Sequence, residues 1–177
     1  MKIPTILTLS ALTLTPLLAE PDAAVMAKGQ ATAAVCLACH GPDGQGLDLG
    51  PAGKMAPSLT GSKVALGSPE AFGLSLLKGI KKEDAKYVGI MATLEASFKK
   101  PDGTFDAEKM AALMTFVRNS YENEAGAVTA EETQAIYEKY KDRTEPATRE
   151  ELAKLSEKGG GTEENDDEGD ESNEPGE

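Results

Sequence analysis

The chain has 177 residues, a net charge of −12, one His, two Cys and no Trp, and only 5% of it is aromatic. Such acidity argues against a nucleic-acid binder, which needs a basic face, and a single His excludes metal sites or acid–base pairs built from several. So few aromatics leave the core short of apolar bulk, which something other than the chain can supply. Residues 1–19 read as an export signal: Lys2 gives a positive start, Ile3 to Leu18 is apolar but broken by Pro4 and Pro16, and Ala19 offers a small-residue cleavage site. The stretch is too short and too interrupted for a good membrane span, so a mature chain without a transmembrane segment is expected in the periplasm or another oxidising compartment, the alternative being an uncleaved N-terminal anchor.

Ala23 to Val35 is Ala-rich and helical in pattern, and Gly29 inside it suggests a close helix crossing. Residues 41–62 hold six Gly and three Pro, the composition of a loop. Ser68-Pro69-Glu70 is a helix start: an N-cap, a Pro at the first position and an acid in the first turn. Phe72, Leu76 and Ile80 follow on one face. Pro101-Asp102-Gly103 predicts a turn. From Asp106 to about Tyr121 a helix carries the stripe Met110, Leu113, Met114, Val117 and Tyr121. Thr129 with Glu132, and Thr148 with Glu151, each fit a capping box before a short helix. Residues 162–177 contain nine acids and no base, a composition that predicts disorder. No strand alternation stands out, so the expected class is all-α. The expected division is a signal peptide (1–19), a main domain (20–125), a helical extension (126–161) and an acidic tail (162–177).

Cys36-Leu37-Ala38-Cys39-His40 carries the chemistry. C-x-x-C-H is the attachment signature of a c-type haem. On a helical turn, positions i and i+3 share a face, so both sulfurs can reach the two vinyl groups of one porphyrin, while His40 turns its imidazole to the iron. The rival readings are weaker. A thioredoxin-like redox pair calls for a βαβ context, which is absent from the pattern, and zinc needs a fourth ligand that the sequence does not suggest. One covalently bound haem c per chain is therefore expected, held by Cys36 and Cys39 with His40 on the iron.

The second axial ligand must be Met, Lys, another weak ligand, water or nothing. Thioether ligation raises the potential and suits electron transfer, whereas an open position suits ligand binding or catalysis. The mature candidates are Met26, Met55, Met91, Met110 and Met114. Met110 and Met114 lie on a stripe where Met is usually core filler. Met91, 51 residues beyond His40, has enough chain to round the haem; Met55, 15 beyond, has less.

Cys36 to Gly46, CLACHGPDGQG, is similar to the attachment segment of the small bacterial class I cytochromes c, and the resemblance spans roughly residues 22–125. It implies that Pro57, in Pro57-Ser58-Leu59-Thr60-Gly61, accepts the His40 N–H through its carbonyl, orienting the ring, and places Met55 on the His side. Tyr87-Val88-Gly89-Ile90-Met91 resembles the distal segment, which implies Met91 as the second iron ligand. Phe116 to Tyr121 resembles the end of the last family helix, which crosses the first. Two positions depart: Ala92-Thr93 stands where relatives often have Pro, and Ala33 replaces the usual aromatic, so a thinner crossing filled by Phe116 is expected.

The expected function is a monohaem electron carrier rather than an enzyme, either free or as the cytochrome subunit of a larger oxidoreductase, docking redox proteins transiently by charge steering. The alternative is a haem-based sensor or ligand-binding module with a labile or open sixth position. Lys78, Lys81, Lys82 and Lys86 form a basic cluster before Met91, which the acidic tail could mask or replace in docking.

Overall fold

The computed structural model describes residues 20–83 and 86–158, so the expected signal and the acidic tail lie outside the described residues. Among the described residues there are six α-helices: α1 (Ala23–His40), α2 (Lys63–Leu66), α3 (Pro69–Lys78), α4 (Ala107–Arg118), α5 (Ala130–Tyr140) and α6 (Arg149–Lys158). Short 3-10 turns occupy Gly50–Ala52 and Glu95–Phe98. Among the described residues, strand-like pairing is limited to three isolated bridges. The all-α expectation is met.

The caps explain where the helices begin. Asp22 accepts from the Ala24 and Val25 amides at 2.8 and 3.3 Å. Ser68 caps α3 through the Ala71 amide at 3.1 Å, with Pro69 in the first turn. Thr129 and Glu132 close a full capping box at α5. At α6 the Glu151 amide donates to Thr148 Oγ1 at 3.1 Å. Two boundaries differ from the sequence reading. α1 runs on past Val35 through the whole Cys-x-x-Cys-His segment and stops at Gly41. α4 ends at Arg118 rather than near Tyr121, because Tyr121 and Glu122 take positive φ values of 57° and 63°. That turn sets the Tyr121 ring edge-on to Phe116, with centroids 5.9 Å apart.

α1 crosses α4 at Gly29. A Cβ built on Gly29 would sit 2.2 Å from the Ala112 carbonyl oxygen and 2.5 Å from Phe116 Cβ, so only glycine admits this approach. Phe116 thus stands at the crossing, and Ala33 is buried one turn further on. α3 is buried on nearly every side. Its sequence stripe of Phe72 and Leu76 marks one face. α5 and α6 pack on α3 as well, and Ile136, Tyr140 and Leu152 from them, with Ala147 from the loop between, join Leu74 and Leu77 in one core. Each such buried aliphatic side chain stabilises by about 1.5–3 kcal/mol. Arg118, 7% exposed, joins the parts: it donates to the Ala65 and Gly67 carbonyls at 2.8 and 2.9 Å and to Gly126 at 2.9 Å. The extension is therefore packed into the same core as the helices before it.

Candidate haem site

The last turn of α1 brings Cys36, Cys39 and His40 to the wall of a cavity of about 830 Å³, within the size range of ligand and cofactor sites, about 300–1,000 Å³. Both cysteines are free thiols. Burial, and then the neighbouring Cys39, push the Cys36 thiol up to about 11, so it stays protonated at neutral pH. His40 Nδ1 lies 2.8 Å from the Pro57 carbonyl oxygen. A carbonyl only accepts, so Nδ1 carries the proton and donates it. The lone pair of Nε2 is then left for a metal. Burial lowers the His40 pKa, opposed in part by the bond to Pro57, and the neutral ligand form is favoured.

Most of the rest of the lining comes from two loops, around residues 55–62 and 80–94, and from Phe72 and Ser75 of α3. Met55 and Met91 both line the cavity. Met110 and Met114 are fully buried in the core instead, as expected of core filler, and Met26 is not in the cavity wall. Met55 does not stay with the His40 loop alone: its carbonyl accepts from the Gly89 amide at 2.8 Å, and a Cβ on Gly89 would meet its sulfur at 2.9 Å. It thus tethers the two loops. Met91 is fixed through its backbone, its carbonyl accepting from the Ile80 amide at 2.8 Å. Gly79 (φ +72°) makes room for this contact, since a Cβ there would lie 2.4 Å from the Met91 oxygen. Thr93 and Leu94 continue the seam, bonding to the Leu77 and Leu76 carbonyls at 2.6 and 2.8 Å.

The charged residues of the cavity wall are Lys63, Lys81, Lys82, Lys86 and Arg149, with no carboxylate among the described lining residues. This suits a ligand bearing carboxylates, as the two propionates of a haem do. Lys82 is committed in part, donating to the Tyr87 and Val88 carbonyls at 3.1 and 2.8 Å. Lys78 does not belong to this group. Its side chain is 7% exposed and pairs with Glu95 at 2.7 Å, because the stem lies in the packed seam between α3 and the 3-10 turn. Arg149 was not legible as a site residue, since it lies 109 positions beyond His40 and belongs to α6. Among the described residues, no cluster of three His, Cys, Asp or Glu could hold a metal ion, so zinc finds no complete ligand set there. None of the described helices is long and apolar enough to cross a membrane.

A haem fits this donor set: two free thiols spaced by one helical turn, a neutral imidazole, two methionines and five cations in the lining of one cavity. Comparison with known families agrees. The cytochrome c family model matches residues 26–121, more than half of the chain. A search among curated proteins finds no match. The chain belongs to the cytochrome c family.

Proposed function

We propose that this member of a haem-based electron-transfer family is a monohaem carrier with His40 and Met91 on the iron. The observation that carries the reading is the placing of Cys36, Cys39 and His40 together on one cavity wall, with the Pro57 carbonyl fixing the His40 tautomer. A haem bound there supplies a one-electron iron couple. The chain's own residues do the rest. Cys36 and Cys39 would hold the group covalently through two thioethers. Pro57 holds the imidazole ring in plane and raises the basicity of Nε2. Met91 offers a soft thioether, which favours the reduced metal and raises the potential. The cations of the cavity wall would offset the charge of the propionates.

Met91 is preferred to Met55 because Met55 is two residues from Pro57, on the segment that already supports His40. The Met91 segment approaches from the end of α3. The exposed Val35 and Ile90, which also line the cavity, leave an apolar edge through which an electron can pass to a docked redox protein. The export signal read at 1–19 supports maturation outside the cytoplasm.

Mass measurement of the denatured, matured protein tests the attachment. One haem mass should remain on the full chain. Cys36→Ser or Cys39→Ser should leave at most a single thioether, and the double variant none. Loss of the haem from the unmutated chain on denaturation would refute covalent binding.

A further inference from the structure

The extension beyond the family match reaches the distal side of the cavity. Ala147, fully buried, forms a parallel bridge with Ile80: its amide donates to the Gly79 carbonyl at 3.1 Å and its carbonyl accepts from Lys81 at 2.8 Å. Ile80, in the middle of that bridge, donates its own amide to the Met91 carbonyl at 2.8 Å. Two residues after Ala147, Arg149 enters the cavity wall. The loop that presents Ala147 is itself braced. Arg143 donates to the Glu145 and Pro146 carbonyls at 2.7 and 3.0 Å and grips both Glu151 oxygens at 2.6 and 2.9 Å. Hydrogen bonds, joined by the peptide links between neighbouring residues, thus connect Arg143 through residues 146–147 and 79–81 to Met91.

We infer that the 143–149 loop of the extension is a positioning element for the distal ligand, holding the Met91 segment against opening and so keeping competing ligands from the iron. The inference rests on Met91 as the iron ligand. Physically, a thioether–iron bond at a loop end opens when the loop opens, and the opening frequency falls as the loop's backbone bonds are tied to a packed element. Here the tie is made by a segment from outside the matched region. Arg143 does not line the cavity, and its side chain bonds to Glu145, Pro146 and Glu151, so its route to Met91 is the bridge.

The test uses the exported, haem-loaded full chain. Three readouts are taken in Arg143→Ala and in Ile136→Val, a core variant on α5 that weakens packing without touching the bridge. The first is the weak far-red sulfur-to-iron charge-transfer band of the ferric protein. The second is the rate of imidazole binding to the ferric iron. The third is amide exchange at Ile80. Arg143→Ala should speed imidazole binding and Ile80 exchange at least ten-fold. Ile136→Val should lower the unfolding midpoint with both rates within two-fold of the unmutated protein. Equal rates in the two variants, once matched for stability, would overturn the inference. A band missing from the unmutated protein, or surviving in Met91→Ala, would instead strike the ligand assignment itself, and with it the inference, before any Arg143 variant is made.

Discussion

At the scale of single residues, the site depends on backbone groups as much as on side chains. The Pro57 carbonyl chooses the His40 tautomer, and the Met91 carbonyl, held by Ile80, chooses where the sulfur can go. Gly79 is the residue on which that second contact turns. Gly79→Ala must put a side chain at φ 72°, ψ −174°, a region held almost only by glycine, and drive a Cβ against the Met91 oxygen. The expected outcome is a loss of about 1–3 kcal/mol in urea unfolding, together with a weaker far-red band in the ferric protein. A destabilised variant with an unchanged band would show that the contact does not reach the ligand. The pentapeptide and its role were legible because thiol, thiol and imidazole at that spacing suit one chemistry. The part of Arg149 was not legible, since nothing local to it speaks of a cavity formed chiefly by residues 35–94.

At the scale of elements, the caps and the crossing glycine were readable and the backbone bridge was not. Ser68, Thr129 and Gly29 announce themselves because their constraints are local or require one residue type. The Ile80–Ala147 bridge joins single residues 67 positions apart and leaves no periodicity. Lys78 reads as a surface base, yet its ammonium is turned inward to Glu95. The crossing is open to test: Gly29→Ala should cost about 1–3 kcal/mol despite the better helix propensity of Ala, because α1 and α4 must move apart. Chemical denaturation would measure it, and a stabilised variant would contradict the packing. The brace at α6 makes a pH prediction. The hydrogen bonds from Arg143 hold the Glu151 carboxyl below its ordinary value of 4.5. A depressed carboxyl stabilises the fold above that ordinary value and loses its contribution as the pH falls through the folded value. Glu151→Gln should therefore lose about 0.5–1 kcal/mol at pH 7 and converge with the unmutated protein only once the pH has fallen through the lowered value of the folded carboxyl. Parallel stability curves down to pH 3 would count against the pair.

At the scale of the whole molecule, α5 and α6 share a core with the cytochrome helices, so the chain from 20 to 158 should unfold as one unit. Leu152, 1% exposed, is the most direct probe. Leu152→Ala should cost about 2–4 kcal/mol, with the haem absorbance and the far-ultraviolet circular dichroism still changing together. Two separate transitions would mean that the extension folds apart. Sequence alone left open whether these helices pack or stand off, because Ile136, Tyr140 and Leu152 are too few to reveal their partner. Charge is also distributed at this scale. Nine of the twelve net negative charges belong to residues 162–177, while Lys63, Lys81, Lys82, Lys86 and Arg149 gather at the cavity. Deleting 162–177 should change the ionic-strength dependence of electron transfer to a protein partner if the tail competes for those cations.

The central claim is a covalently held haem with a methionine opposite His40. Absorption spectra of the matured protein, oxidised and reduced, test it most directly in the unmutated chain, Met91→Ala and Met55→Ala. The account predicts a c-type spectrum with the far-red band in the ferric form, lost in Met91→Ala and kept in Met55→Ala. A c-type spectrum without that band, responding to added carbon monoxide, would contradict the His/Met carrier and point to an open iron.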